Sequence, residues 1–526
     1  MPPSKKEIAV GFASATAIFL MLFAAGLTLL EDPLLSQAIT FSITAGEIVS
    51  FYPLPVARHA AFDGAERALL SLLDPFSYRI DEKEYGQLRE ESSGQYGGVG
   101  ITVAPRDTTL MVLSVREGGP AYEGGMKAGD LILSVDGKKV LPDNPGAATG
   151  MIRGPSGSAV SLIIYRPKIA DTLHLTLIRS SIRLEHLPYY GLTESGIAYI
   201  RMADFEAGAA EELEDAVDSL ERQRPRGYII DLMGNPGGFL NEAVRAAGVF
   251  LDKGMLIVGT AGRPRWDDRR YIASSTPLTD LPIVILTDRG TASAAEIFTG
   301  ALGGAQRAAV IGDTTFGKGL VQSMFSLTNG DAVRLTTSRY YFADGTFLNP
   351  PDSDLTFSGL PPDIVFVSTG EISFEEKVLS GFLIFDFVES EADLLASYPD
   401  KFVCPDTVIT LFEKFARGRG FAYRSWLTEI LEQTIVDQKL NQASPGILSQ
   451  LENMASRSVE LDQRIFQRQA DMLKYHIRLV AIERKLGAAA AYRDVIVPGR
   501  PDIRLAEEVL SDPSRYQSFL AHRAEK

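Results

Sequence analysis

The spacing of apolar and polar positions divides the chain into blocks of different texture. Residues 8–30 form an uninterrupted run without a charged side chain, and residues 34–94 then show helical periodicity, clearest at 60–73. Glycines and short apolar runs dominate the middle of the chain, which indicates strands alternating with helices. Helical spacing with many charges returns beyond Phe366 and predicts a mostly α-helical extension of about 150 residues.

Two strand-turn-helix junctions stand out in the middle block. The runs 228–232 and 283–286 read as buried strands, and each leads into a glycine-containing turn. Helical spacing follows the first turn at 242–251 and the second turn from Ser293 onward. We therefore expect Ser293 to lie at the end of a strand, with the amide of the next residue free.

Ser293 and Lys318 are the candidates for chemistry. A serine hydroxyl needs a neighbouring base, and histidine is the usual one because its pKa lies near neutrality. The chain has 5 histidines, and none falls within about 190–366, which excludes a Ser-His-Asp arrangement built inside this stretch. Lys318, between two glycines, is the remaining candidate for the base.

A lysine can act as a base only when its amine is neutral, so its pKa must fall from about 10.4 towards 7. Burial near Phe316, Leu320 and Val321 would have this effect, whereas the alternative is a surface lysine in a Gly-rich turn. Gln322 could orient Lys318 if the segment turns helically. A fully extended path would separate the two side chains by roughly 13 Å, which leaves Gln322 as an ordinary strand residue.

Acyl transfer also needs donors for a tetrahedral oxyanion, commonly backbone amides in Gly-rich turns or at a helix N-terminus. The turn after the first strand ends in Gly237 and Gly238. We expect the Ala294 N–H, with an amide from Gly237 or Gly238, to form this site. An ordinary strand-to-helix turn is the alternative for the glycine pair.

Residues 95–168 carry the ordered glycines and short strands of a PDZ domain. Such domains add a peptide as an extra strand and hold its terminal carboxylate with exposed amides. Glycines allow the φ values that aim successive N–H groups at one anion. The predicted peptide-binding turn comprises Gly98, Val99, Gly100 and Ile101.

Four motifs in this order, 231–238, 290–297, 316–322 and 359–364, together resemble those of the carboxy-terminal processing proteases, which are PDZ-containing Ser-Lys serine peptidases. The resemblance covers about residues 35–370. It implies a mixed α/β fold with a crotonase/ClpP-like protease core and an inserted PDZ domain. The uncharged run 8–30 and the helical spacing beyond Phe366 add an N-terminal transmembrane helix and an α-helical C-terminal extension to the expected fold. We expect no metal and no other cofactor.

The chain departs from the family pattern at two places. The family often has a serine where Ala295 stands and an Arg-Asn pair near Met233 and Gly234. These positions are neither nucleophile nor base, so the departures concern substrate detail more than activity. Carried over residue by residue, the resemblance implies Ser293 as nucleophile, Lys318 as general base, Gln322 as the residue that orients it, and the Gly237-Gly238 turn as an oxyanion contributor.

Arg153 lies where the family keeps a basic residue near the contact between the PDZ domain and the protease. It either pairs with a carboxylate across that contact or is a surface arginine at a turn. Related proteases use terminal helices for dimerisation or substrate gating, so a homodimer is one expectation. The expected layout is a membrane anchor at 1–31, a helical segment at 32–94, the PDZ domain at 95–168, the protease core at 169–370 and a helical domain at 371–526.

Composition and charge restrict the classes of partner and of covalent cross-link that the chain can have. The net charge of −15 disfavours a nucleic-acid partner, and the single cysteine, Cys404, excludes an intramolecular disulfide. The uncharged run 8–30 is long enough to span a bilayer and follows Lys5 and Lys6, which favours a signal-anchor with the catalytic part on the periplasmic side of the inner membrane. A cleaved signal peptide ending near Gly26 is the alternative.

The expected function is therefore a membrane-anchored serine endopeptidase that recognises C-terminal tails of exported proteins. A non-catalytic PDZ adaptor at the membrane is one alternative, which the joint presence of Ser293, Lys318 and Gln322 disfavours. A crotonase-type acyl enzyme is another, which the PDZ block and the Ser-Lys pair disfavour.

Overall fold

A computed structural model provides the architecture of the chain. It divides into two compact units, one formed by Met1–Glu82 with Gln322–Thr336 and the other by Lys83–Val321 with Thr337–Lys526. The residues that the structure describes are 33–54, 58–91, 95–106, 108–116, 118–140, 145–183, 185–263, 268–349, 358–366, 372–396, 404–440 and 444–524.

The first unit is built from helices and a small antiparallel ladder. The predicted helical texture of 34–94 is confirmed, although the helix expected at 60–73 ends at Leu70 and a short strand interrupts the helices. That strand pairs with residues 332–334, and its Arg79 donates to Asp331 and Asp63. The elements here are α1 Pro33–Phe51, α2 Arg58–Leu70 and β1 Tyr78–Ile80.

The predicted membrane anchor at residues 8–30 lies outside the described residues. Among the helices that the structure does describe, none combines the length and the apolar character needed to cross a bilayer.

Residues 95–183 form an antiparallel sheet in the order β3-β4-β5-β7-β8, with β6 beside β5 and a separate β2-β9 pair. Val112, Ile132 and Leu162 are among the fully buried residues of its core. The sheet runs on to Ile178, beyond residue 168, because β8 pairs with β7 along its whole length. The elements are α3 Glu82–Glu91, β2 Gln95–Gly98, β3 Ile101–Arg106, β4 Thr109–Val115, α4 Pro120–Glu123, β5 Leu131–Val135, β6 Lys138–Lys139, α5 Pro145–Ile152, β7 Ala159–Arg166, β8 Asp171–Ile178 and β9 Ser180–Arg183.

The centre of the second unit is a sheet in the order β10-β11-β12-β15-β16-β19, parallel from β11 to β19. Its inner strands β12, β15 and β16 are buried on both faces, which explains their continuous apolar runs. Both predicted strand-turn-helix junctions are confirmed. The elements are β10 Tyr189–Leu192, β11 Ala198–Arg201, α6 Ala209–Glu221, β12 Tyr228–Asp231, α7 Leu240–Gly248, β13 Leu256–Gly262, β14 Arg269–Ile272, β15 Ile283–Thr287, α8 Ala294–Gly304, β16 Ala308–Gly312, β17 Leu320–Ser326, β18 Ala332–Tyr341 and β19 Ile364–Val365.

The two faces of this sheet have different covers. Alternate residues such as Ile230 and Ile285 pack with α6, α7 and α8 in one core, whereas Ile229 and Val284 pack in another core with helices from the end of the chain. Side chains of a strand alternate between the two faces, so each strand contributes to both cores.

Beyond Phe366 the described chain is helical, as predicted. Most of these helices share a core of their own that includes Phe387, Phe412 and Phe466. The last helices instead pack on the protease sheet, so the segment expected at 371–526 does not form one separate domain. The helices are α9 Ile372–Ser380, α10 Leu383–Ser390, α11 Ala392–Ala396, α12 Asp406–Gly418, α13 Trp426–Leu440, α14 Pro445–Gln463, α15 Ile465–Arg468, α16 Ala470–Leu486, α17 Ala488–Ala491, α18 Val497–Gly499, α19 Pro501–Ser511 and α20 Pro513–Ala524.

Candidate active site

The nucleophile turn, residues 288–293, connects β15 to α8. Ser293 is the N-cap of α8 and has φ 55° and ψ −115°, a positive φ that is strained for a residue with a side chain. Its neighbours Ala292 and Ala294 are buried, whereas Ser293 is half-buried. The strain therefore accompanies partial exposure of the candidate hydroxyl at the end of a strand, as the sequence predicted.

The oxyanion turn, residues 232–239, lies directly against Ser293. Gly237 has φ 98°, and a Cβ there would come within 2.7 Å of the Ala292 carbonyl oxygen and 2.8 Å of Ser293 Cβ. A Cβ on Gly238 would collide with the Phe205 backbone. Only glycine fits at these two positions, because each side-chain position is already occupied by backbone or by the candidate nucleophile.

The hydrogen bonds show which of the candidate oxyanion donors already have an acceptor. The Gly237 N–H donates to Asn235 Oδ1 at 2.9 Å, so this amide is already used. Within the described residues the N–H groups of Gly238 and Ala294 have no acceptor. Of the two glycines that the sequence left open, the geometry favours Gly238.

Asn235 is a functional residue that sequence analysis missed. Its side chain is fully buried, and its Nδ2 donates to the Met202 carbonyl at 3.0 Å. Its own carbonyl accepts the Ala292 N–H at 2.9 Å. Asn235 thereby joins the oxyanion turn to the nucleophile turn. The sequence pattern of a strand-to-helix turn does not predict this contact.

Glu296 connects Ser293 with the lysine loop, residues 313–319. Its Oε2 accepts the N–H groups of Ser293 and Lys318, both at 2.8 Å. Its Oε1 accepts the Gly317 N–H at 2.7 Å and the Thr315 hydroxyl at 2.6 Å. One fully buried carboxylate therefore fixes the backbone of both candidate catalytic residues. Sequence analysis missed Glu296, although Ser-x-x-Glu at a helix start is the spacing of a capping box.

Burial affects the electrostatics around this carboxylate. Burial raises the pKa of Glu296, while the hydrogen bonds from Thr315, Gly317, Ser293 and Lys318 oppose that effect. Burial likewise raises the pKa of Tyr340 well above its ordinary value, so this side chain remains a neutral donor. Its hydroxyl donates to the Lys318 carbonyl at 2.7 Å, a further restraint on the lysine loop.

The motif at 359–364 packs on the lysine loop. A Cβ on Gly359 would collide with the Thr315 backbone, and the Leu360 N–H donates to Thr315 Oγ1 at 2.7 Å. Asp363 accepts the Val310 N–H at 2.7 Å, which places the motif beside β16. Lys318 itself is half-buried between Gly317 and Gly319, which are buried.

Gln322 lies in a strand, not in a helical turn. β17 begins at Leu320, so the helical path on which a contact with Lys318 was conditional does not form. Within the first unit, the Gln322 Nε2 donates to the Phe76 carbonyl at 2.8 Å. Its role in orienting Lys318 stays a prediction.

The predicted peptide-binding turn has the expected backbone geometry. Gly100 has φ 77°, and the carbonyls of Val99 and Gly100 accept the N–H groups of Ala121 and Arg116, both at 2.9 Å. Within the described chain, the N–H groups of Val99 and Gly100 have no acceptor. Val99 and Gly100 are themselves buried, so carboxylate binding by these two amides stays a prediction, and α5 lies along the same strand.

Arg153 lies next to this turn. Its guanidinium stacks on the Tyr96 ring at 4.4 Å from the ring centroid, and burial lowers its pKa. The Gly154 N–H donates to the Gly97 carbonyl at 3.0 Å, which fixes the segment against β2. Arg153 therefore packs on the PDZ side chain Tyr96, and its role in peptide binding stays a prediction.

The described residues contain no group of histidine, cysteine and carboxylate side chains arranged to hold a metal ion. Cys404 is buried, and burial raises the pKa of its thiol to about 11.

Comparison with known proteins places these features in a family. Residues 196–366 match the model of peptidase family S41, and residues 111–166 match a PDZ domain model. A carboxy-terminal-processing protease of Bartonella bacilliformis is 35% identical over 308 residues, which cover 58% of this chain and 69% of that protein. The chain belongs to the carboxy-terminal processing proteases.

Further proteins of this family are similar over comparable shares of the chain. A carboxyl-terminal-processing protease of Synechocystis is 34% identical over 61% of this chain and 74% of its own length. Among solved structures, the photosystem II D1 C-terminal processing protease is 26% identical, with 61% of this chain and 85% of that chain covered and a TM-score of 0.38. This carboxy-terminal processing protease is thus a serine-type peptidase of mixed α/β fold with a PDZ domain, a domain type that binds peptide C-terminal tails.

Proposed function

We propose that the chain is a membrane-anchored endopeptidase in which Ser293 is the nucleophile and Lys318 the general base. The Ala294 and Gly238 N–H groups stabilise the oxyanion, and an orienting role of Gln322 is proposed from the family resemblance alone. The PDZ domain captures a C-terminal tail, and cleavage occurs upstream of it.

In the acylation step, the neutral Lys318 amine takes the Ser293 hydroxyl proton while Oγ attacks the scissile carbonyl carbon. The carbonyl oxygen becomes an oxyanion that accepts from the two backbone amides. The lysine ammonium then returns the proton to the leaving amine as the C–N bond breaks. Water, deprotonated by the same amine, hydrolyses the acyl-enzyme and restores Ser293.

The observation that carries this proposal is the shared Glu296 carboxylate. It holds the Ser293 and Lys318 amides on one oxygen, so the two residues are fixed relative to each other without a contact between their side chains being needed. A purely structural serine at a helix N-cap would not require a strained positive φ or a glycine packed against its Cβ.

Site-directed variants test the chemistry. We expect Ser293→Ala, Lys318→Ala and Lys318→Arg to be inactive on a denatured protein substrate, because arginine keeps the charge but cannot act as a base near neutrality. Lys253→Arg, at an exposed lysine of the same unit, is the matched control and should remain active. Substantial turnover by Lys318→Arg, in a preparation free of other proteases, contradicts general-base catalysis by this lysine.

A covalent adduct gives an independent readout of the nucleophile. A serine-reactive inhibitor should modify Ser293, located by mass spectrometry of the digested protein, and activity should rise with pH as the base loses its proton. Modification of a different serine with equal loss of activity would show that Ser293 is not the nucleophile.

The membrane part of the proposal rests on residues 8–30 behind Lys5 and Lys6. Alkaline carbonate should leave the protein in the membrane pellet, and protease added to spheroplasts should digest most of the chain. Complete protection of an intact membrane-bound chain reverses the orientation. A carbonate-soluble protein that begins near residue 26 would instead show a cleaved signal.

A further inference from the structure

The last helices of the chain complete one buried face of the parallel sheet. Ile503, Val509 and Leu510 pack in the same core as β11, β12, β15 and β16. Tyr516 joins the backbone of β15: its Oη accepts the Ile283 N–H at 3.0 Å, and its hydroxyl donates to the Ile283 carbonyl at 3.1 Å. This segment lies outside residues 196–366, which match the peptidase family model, yet it is a part of the peptidase core.

Arg500 stands at the start of α19, where this segment approaches the active site. Its Nη1 donates to Asp231 Oδ2, its Nε donates to Asp502 Oδ1 at 3.1 Å, and its Nη2 contacts the Met233 sulfur at 2.8 Å. Burial alone would lower the pKa of Arg500, but the charges of Asp231 and Asp502 outweigh it and raise the pKa. The side chain is therefore a permanent cation that bridges the C-terminal segment and the end of β12.

Asp231 passes this restraint to the oxyanion turn. Its carboxylate is fully buried, with Oδ1 accepting the Met233 N–H at 3.0 Å and Oδ2 accepting the Tyr199 hydroxyl at 2.7 Å. Arg201 reaches Oδ1 only at 3.4 Å, so Arg500 is the closer of the two cations. A buried carboxylate without a counter-charge is strongly unfavourable. If Arg500 were lost, we expect the oxyanion turn, which contains Met233, to rearrange so that water can reach Asp231.

We propose that Arg500 is a positioning residue for peptide-bond hydrolysis, acting through Asp231 to fix the oxyanion turn and hence the direction of the Gly238 N–H. The inference rests on the proposed function, because it assumes that Gly238 faces the oxyanion formed at Ser293. The oxyanion is absent from the bound ground state and forms only in the tetrahedral intermediate and its flanking transition states, so a misdirected amide lowers kcat and leaves KM nearly unchanged.

The test compares steady-state kinetics of full-length variants, corrected for the folded fraction measured by circular dichroism. Arg500→Ala should lower kcat at least about tenfold, with KM within about twofold of wild type, since losing an oxyanion donor outright costs about 10² to 10³. Arg500→Lys should recover part of the loss because it restores a cation that can reach Asp231. Arg504→Ala, on the same helix, removes a side chain that among the described contacts donates only to the Pro498 carbonyl, and it should behave as wild type.

A double-mutant cycle separates positioning from general stability. If Arg500 acts through Asp231, then adding Arg500→Ala to Asp231→Asn should produce little further loss of kcat. Independent, multiplying losses would overturn the inference, as would a kcat for Arg500→Ala within about twofold of wild type. Failure of the proposed function looks different, because there Ser293→Ala itself retains activity.

Discussion

Replacing Gly237 with alanine should remove most of the activity while substrate affinity stays close to wild type. The new methyl group would lie 2.7 Å from the Ala292 carbonyl oxygen and 2.8 Å from the Ala294 nitrogen. It would therefore occupy the space in front of one of the two amides proposed to bind the oxyanion. The neighbouring atoms belong to the backbone of the nucleophile turn, which cannot move aside as a flexible side chain can.

Two effects set the magnitude. A positive φ costs an alanine about 1 to 2 kcal/mol relative to glycine, and Gly237 has φ 98°. Overpacking against fixed neighbours adds about 1 to 3 kcal/mol. Gly234, in the same turn, has φ 69°, but a methyl group added there would meet nothing within 4 Å, so Gly234→Ala incurs only the first cost.

The assay measures kcat, KM and the free energy of unfolding in urea for both variants. Gly237→Ala should lose about 2 to 5 kcal/mol of stability and Gly234→Ala about 1 to 2 kcal/mol. The kcat of Gly237→Ala should fall by about 10² or more, as for the loss of an oxyanion donor, whereas Gly234→Ala should keep most of its kcat. If the two variants have kcat values within about threefold of each other, the steric reasoning is refuted.

Three other contacts can be tested in a similar way. Burial alone would lower the pKa of His186, but the hydrogen bond and the charge of the Asp204 carboxylate oppose burial, and the net effect is a raised pKa. The pair therefore stabilises the fold fully below about pH 6.5, and this stabilisation is lost as the pH rises through the raised pKa. His186→Gln should therefore lose more unfolding free energy in urea at pH 6 than at pH 8, and equal losses would contradict the pairing. The Asp386 carboxylate accepts two hydrogen bonds from Arg106 of the PDZ sheet, at 2.6 and 2.8 Å, so Asp386→Ala should speed hydrogen exchange in β3 and β4. Asp393→Ala is the control and should not change this exchange, because Asp393 makes no such contact to the PDZ sheet among the described hydrogen bonds. Tail peptides with a free carboxylate should bind the peptide-binding turn at least several-fold more tightly by calorimetry than their amidated forms, and equal affinities would exclude carboxylate recognition.

The sequence by itself determined the elements and the order of the site motifs. Buried parallel strands read as continuous apolar runs, and glycine-rich turns mark their ends, so the junctions before Ser293 and after β12 were visible from local pattern. The PDZ strands and the helical texture beyond Phe366 were visible for the same reason. Each of these features depends on residues a few positions apart.

Tertiary structure alone decided how the site is held together. The Asn235 side chain accepts the Gly237 N–H, so Gly238 is the glycine whose N–H has no acceptor among the described residues. The Glu296 carboxylate accepts N–H groups from both Ser293 and Lys318 and so joins the nucleophile turn to the lysine loop. Arg500 reaches Asp231 across 269 positions of sequence. Side-chain hydrogen bonds between distant segments leave no periodic trace, because only the folded sheet brings the ends of its strands, and the last helices of the chain, to the same place.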